Sequence, residues 1–118
     1  MTLAPLALTM GEPAGIGGEV TIKAWLNRRE TNVPKFFAID DPARLDRLAK
    51  NLEWPLKIAA IENPADAINH FDQALPVLAK PLPGSLTPGD ADPRNATAVI
   101  GAIDDAVNFV QTGAASAM

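Results

Sequence analysis

The chain has 118 residues, 47% of them hydrophobic and 20% charged, with a net charge of −4 and no cysteine. This is one domain's worth of material at most, long enough for a real core and with the make-up of a soluble α/β segment. Lys and Arg are scattered, which excludes a basic face for nucleic acid, and the lack of cysteine excludes a disulfide framework and thiolate chemistry.

Leu3–Thr9 reads as a short buried strand. The N-terminus is apolar but has no basic flank, and Gly11, Glu12 and Pro13 stop it early, so it does not read as a signal peptide. No apolar run approaches membrane-spanning length, and the cytoplasm is the expected compartment. A glycine-rich loop with Gly11, Gly15, Gly17 and Gly18 follows, then a helix over Gly18–Arg28. Strand, glycine-rich turn and helix N-terminus form a place where backbone N–H groups can meet an anion or a nucleotide. The spacing is neither the dinucleotide GxGxxG fingerprint nor a P-loop, so pattern alone leaves a ligand loop and a purely structural turn both open.

Further strands are expected at Lys35–Ile39, Leu56–Ile61 and Pro76–Ala79, and helices at Pro42–Asn51, Pro64–Phe71 and Pro93–Gln111. The last three helix starts share one device: Asp41-Pro42, Asn63-Pro64 and Asp92-Pro93 each place a capping side chain before a proline at the first helical position. In the last helix Ala96, Val99, Ile100, Ile103, Val107 and Val110 recur at three- and four-residue steps and predict the core face, with Asp104, Asp105, Asn108 and Gln111 turned away. Gly113 is the expected C-terminal cap, and Ala114–Met118 reads as a strand entering a sheet. Pro81–Pro93 is the longest expected loop. Alternating strands and helices with short connections predict a layered, mostly parallel α/β sheet with helices on both faces.

Few other residues carry chemistry. His70 is the only histidine, and one imidazole without a second His or Cys makes no metal site; a surface or half-buried role is expected, and no residue is assigned as a metal ligand. Arg94 in a first helical turn opposes the helix dipole, so local stability does not explain it; a solvated surface role is expected, a reach to phosphate or a partner being the alternative. Lys23, Trp25 and Asn27-Arg28-Arg29 read as a helix with one buried aromatic and a solvated end, and Trp54 before Pro55 reads as a turn anchor.

The literal residues are more specific than the pattern. LALTMGEPAGIGGEVTIKAW (Leu6 to Trp25) resembles the LALTMGDPAGIGPE motif of the 4-hydroxythreonine-4-phosphate dehydrogenase family, and PGDADPRNATAVIGAIDDAV (Pro88 to Val107) is similar to that family's PGKLDPxNAxxxxxxLxxAV segment. PVLAKPLPG (Pro76 to Gly84) has the family's turn-rich approach to that helix. The resemblance covers essentially the whole chain, but only roughly the first third of a family member, and the apolar Ala114–Met118 without a polar tail adds to the reading of a truncated piece, the N-terminal α/β portion of a longer enzyme (residues 1–118).

The resemblance implies an isocitrate/isopropylmalate dehydrogenase-like fold and a cytoplasmic, homodimeric oxidoreductase of pyridoxine biosynthesis. Such an enzyme oxidises 4-phosphooxy-L-threonine with NAD or NADP, and the product loses carbon dioxide to give an aminoketone phosphate. It implies a divalent metal held by three histidines; neither these nor the catalytic groups match positions here, so the 118 residues alone are expected to be inactive. GIGGE (Gly15 to Glu19) is also similar to GIGPE of the isopropylmalate and isocitrate dehydrogenases, where the loop borders the nicotinamide end of the cofactor. By that resemblance Gly15, Ile16 and Gly17 are the cofactor-binding candidates, and Glu19 begins the helix or holds a neighbouring group. The chain departs from the motif at Glu12, usually Asp, and at Gly18, usually Pro, where a preset φ is given up. Alternatives are a dehydrogenase of a four-carbon sugar-acid phosphate (phospho-erythronate or phospho-threonate) and a non-catalytic phosphate- or partner-binding module. An acyl-phosphate transferase on a related fold would lack the paired motifs.

Overall fold

Strand β2 (Phe36–Asp40) is buried along its whole length, which is what a run of Phe-Phe-Ala-Ile allows when both faces of a parallel sheet are covered. The computed structural model describes residues 4–84, 87 and 89–118; Leu3 of the first expected strand, and Ser85, Leu86 and Pro88 of the expected loop and second motif, lie outside the described residues. The described elements run β1 (Leu6–Thr9), α1 (Gly17–Leu26), α2 (Arg28–Thr31), β2, α3 (Pro42–Asn51), β3 (Ile58–Ile61), α4 (Ala67–His70), β4 (Leu75–Ala79) and α5 (Ala96–Thr112). Short 3-10 turns at Pro64–Asp66 and Pro93–Asn95 lead into α4 and α5.

The strands form one parallel sheet in the order β1-β2-β4-β3, with Leu6 opposite Phe36, Ala38 opposite Val77 and Ile58 opposite Leu75. Alternation along β2 divides the core. Phe36 and Ala38 pack with Ile22 and Trp25 of α1 and Leu45 and Ala49 of α3. Phe37 and Ile39 face the other way, onto Ala102 and Ala106 of α5 and Ala67 of α4. The handedness of crossovers explains this division. The chain moves across the sheet in one direction through α1 and α3, then reverses after β3, so the later helices lie on the opposite face.

Two aromatic contacts pin the layers: Phe36 meets Phe71 edge-on at 4.9 Å and Phe37 meets Phe109 at 5.9 Å. Trp25 is buried, as expected, and its indole N–H donates to the Phe71 carbonyl at 2.8 Å. Trp54 is half-buried against the same cluster. The expected solvated end of the first helix is different. Arg28 stacks 3.7 Å above the Trp25 ring and donates to the Trp25 and Asp72 carbonyls at 3.0 and 2.7 Å. Burial, then repulsion from Arg29, lowers the Arg28 pKa, with Asp72 opposing.

The caps form as the sequence requires. Asp41 accepts from the amides of Ala43 and Arg44, Asn63 from Ala65 and Asp92 from Arg94. Asn63 and Asp92 each start a 3-10 turn rather than an α-helix. The second oxygen of Asp41 also accepts from the Leu82 amide at 3.1 Å, tying the loop after β4 to the start of α3. Gly113 ends α5 in the left-handed region, φ 84°.

Two expectations are corrected at the C-terminal end. On α5 the sheet-facing row is Ala98, Ala102 and Ala106, supported by half-buried Val99, Phe109 and Val110. Ile100, Ile103 and Val107, predicted to be core, are 59%, 40% and 38% exposed. Alanines let the helix sit close on the sheet, whereas the larger aliphatics one position round do not fit there. The chain at Ala114–Met118 is not a strand. It lies beside β1, with Ser116 N–H donating to Pro5 and Ala7 N–H to Ala117. A regular parallel ladder brings both bonds to one residue, so this one-residue slip breaks the pairing.

Asp41→Ala is expected to lower stability by about 1–2 kcal/mol, and Asn63→Ala, which loses a single cap bond, by less, as read from urea midpoints. On α5, Ala102→Leu is expected to cost about 1–3 kcal/mol through overpacking, while Ile103→Gln stays within about 0.5 kcal/mol of the parent.

Candidate functional site

In parallel α/β sheets the loops at the carboxyl ends of the strands gather on one edge, and ligands bind there. Here that edge holds the Met10–Ile16 loop after β1, Asp40 at the end of β2 with Asp41 after it, and Lys80–Gly84 after β4. The first loop is organised from within. Glu12 folds its carboxylate back to accept from the Ala14 amide at 3.0 Å, and its carbonyl accepts from Gly15 at 2.9 Å. The Glu12 carboxylate therefore serves the turn itself.

Close approach of backbone requires Gly17, and side chains crowd Gly18. A Cβ on Gly17 would stand 2.9 Å from the Met10 carbonyl oxygen, and one on Gly18 would stand 3.0 Å from Leu48 and 3.1 Å from the Arg44 guanidinium. What presses on Gly18 is the centre of the site. Arg44 and Asp40 form a buried, two-pronged ion pair, with Nε donating to Oδ1 at 3.1 Å and Nη2 to Oδ2 at 2.7 Å. The remaining Arg44 prong donates to the Pro13 carbonyl at 3.3 Å. The glycine loop is thus fastened to α3 by a side chain whose charge is already neutralised.

The loop is held from the other side as well. Gly89 donates its N–H to the Ala14 carbonyl at 2.9 Å, so the two stretches with distinctive literal sequence meet in space. Between the loop and α3 lies an open groove of about 610 Å3, with Pro13, Gly15 and Ile16 on one wall, Leu48 and Leu52 on the other, and Glu19, Arg47, Asn51 and Gly89 also on its lining. Ligand sites typically occupy roughly 300–1,000 Å3 and are mostly apolar with a few polar groups.

Of the sequence-predicted residues, Gly15, Ile16 and Glu19 are brought together in this groove, whereas Gly17 lies behind it under Met10. His70 ends α4, exposed. Arg94 is explained locally: its guanidinium forks onto the Asp92 carboxylate at 2.7–3.2 Å, which raises its pKa through hydrogen bonding and charge. Asn95 is buried and accepts from the Gly84 amide at 2.7 Å. Among the described residues no group of three His, Cys, Asp or Glu is placed to hold a metal ion, and no helix is long and apolar enough to cross a membrane. Sequence reasoning missed Asp40, Arg44, Arg47 and Leu48. The i,i+4 spacing of Asp40 and Arg44 was the available signal.

No family model matches the chain. It is 47% identical over 118 residues to the 4-hydroxythreonine-4-phosphate dehydrogenase of Methylorubrum populi, covering 97% of this chain and 33% of that protein. The same-named protein of Bradyrhizobium diazoefficiens is 41% identical over 122 residues, covering 97% of this chain and 35% of the relative. The crystal structure of a 4-hydroxythreonine-4-phosphate dehydrogenase from Burkholderia phymatum matches with a TM-score of 0.84 at 26% identity, over 98% of this chain and 35% of that one. The chain is homologous to the 4-hydroxythreonine-4-phosphate dehydrogenases. It spans about a third of the length of the relatives it matches. Its sheet and flanking helices are those of this dehydrogenase fold, of the isocitrate dehydrogenase-like class, as the sequence predicted. A structure from Klebsiella pneumoniae agrees, with a TM-score of 0.78 at 26% identity over 95% of this chain and 35% of that one.

Arg44→Met leaves Asp40 buried without its counter-charge and is expected to cost about 3–5 kcal/mol. Asp40→Asn added to Arg44→Met is expected to restore part of that loss, with urea midpoints of both variants as the check.

Proposed function

We propose that these residues form the N-terminal α/β portion of a cytoplasmic, homodimeric dehydrogenase that oxidises 4-phosphooxy-L-threonine with NAD or NADP. The 3-oxo acid then loses carbon dioxide to give an aminoketone phosphate on the route to pyridoxal 5'-phosphate. The observation that carries the reading is the 47% identity across 97% of the chain to a dehydrogenase of that name. The meeting of the two motif stretches at the Ala14–Gly89 hydrogen bond supports it.

In this reading the reaction removes a hydride to the nicotinamide and a proton to a base. The part played by these residues is to bind and orient. Gly15 and Ile16 offer backbone and apolar surface to the cofactor, and Gly17 and Gly18 let the loop lie close on Met10 and Arg44. The divalent metal implied by the family finds no donor set among the described residues.

The test is to read the encoding frame beyond Met118, express the chain with whatever continuation it has, and follow cofactor reduction with 4-phosphooxy-L-threonine. Turnover by the longer polypeptide and none by the 118 residues alone is the expected outcome. Turnover by the 118 residues alone would overturn the assignment of catalysis to the remainder. Oxidation of phospho-erythronate in place of the amino acid would overturn the substrate.

A further inference from the structure

A second recess lies at the opposite edge of the sheet, where the strands begin. Lys57 precedes β3, Asp72 precedes β4, and Arg28 and Arg29 follow α1. With Trp25 and Pro55 they line an open recess of about 380 Å3. Its charge is one-sided, with three cations and one carboxylate on the lining, in a chain whose net charge is −4. Arg28, Arg29 and Lys57 make no ion pair among the described residues, and the Asp72 carboxylate lies 4.0 Å from Lys35.

Arg28 is fixed in place but not neutralised. Its guanidinium rests 3.7 Å above the Trp25 ring, and two of its N–H groups donate to the Trp25 and Asp72 carbonyls. Its Nε is buried and has no hydrogen-bond partner among the described residues. A buried donor left unpaired is costly, and in a native fold it calls for a partner outside the chain, an ion or a water. The surrounding charge selects an anion. After burial, repulsion from Arg29 is the next cause that lowers the Arg28 pKa, and Asp72 does not cancel it. Two guanidiniums and an ammonium around one recess suit an anion with several oxygens, since a guanidinium offers forked donors and an ammonium a mobile point charge.

We propose that this recess binds a phosphate group, free or carried by a small organic molecule, among the Arg28 and Arg29 guanidiniums and the Lys57 ammonium. The bound group gives the two arginines a shared counter-charge and ties the end of α1 to the start of β3. All of α1, about 15 Å of helix, separates it from Gly15 and Ile16. It is therefore independent of the groove and of the cofactor reading.

The test titrates the 118-residue chain with inorganic phosphate and with glycerol 2-phosphate, against sodium chloride at matched ionic strength. Amide shifts locate binding and their saturation gives affinity. Inorganic phosphate is expected to shift the amides of Arg28, Arg29 and Lys57 saturably, beyond any effect of chloride. Arg29→Gln and Lys57→Gln, both at exposed positions, are each expected to weaken phosphate by about two- to fivefold, as for solvated charge pairs, and the double variant more than either. Glycerol 2-phosphate binding at least as tightly as inorganic phosphate would assign the recess to a phosphomonoester, and weaker binding would assign it to free phosphate. Equal shifts with chloride, or one phosphate affinity shared by the parent and both variants, would overturn the proposal. Phosphate shifts centred on Gly15 and Ile16 would overturn it too, and would assign the anion to the groove.

Discussion

Asp40 sits where β2 ends, and the glycine loop and the start of α3 are tied together through it. Its Oδ1 accepts from the Asp41 amide and from Arg44, and its Oδ2 accepts the second Arg44 prong. Burying two charges is costly, and is offset only when geometry is good and the remaining hydrogen-bonding capacity is met. The forked approach of Arg44 and its third bond to Pro13 meet those conditions. The result is a strut of fixed length from the central strand, through α3, to the glycine loop. Once Arg44 is fixed, its guanidinium and Leu48 crowd Gly18, and one wall of the groove is set.

Asp41, the next residue, extends the same control outward. One oxygen starts α3 and the other holds the loop after β4. Two adjacent aspartates therefore divide the work, the first facing inward to a guanidinium and the second along the edge to backbone amides. The floor of the site is built from local chemistry, with its charges neutralised in place, and the groove above it keeps Arg47 and Glu19 as its charged groups.

Much of the fold was legible because it is written locally. The Asp-Pro and Asn-Pro pairs mark their caps without ambiguity, β2 announces its burial by composition, and Gly113 stops α5 where expected. What could not be read depends on distance between elements. Periodicity shows that α5 has an apolar face but cannot weigh a row of alanines against a neighbouring row of isoleucines; the spacing between helix and sheet decides that. Arg28 looks solvated in sequence because nothing nearby reveals that Trp25 and the Asp72 carbonyl will surround it. At the site, the glycines flagged the loop correctly, but the reason for Gly17 and Gly18 lies in Met10 and Arg44. Arg94, expected to be a solvated surface residue, is exposed, and its own cap residue, Asp92, supplies the counter-charge.

Every strand pairing in the sheet is parallel, and the partners are far apart in sequence, as with Leu6 and Phe36 or Ala38 and Val77. Among the described residues no hairpin joins these strands, so loop closure must be completed before any ladder bond repays it. Folding of this chain is therefore expected to be slow for its size, and Ala14 and Gly89, which can join only when β1 and the loop beyond β4 are already aligned, belong to its final stage.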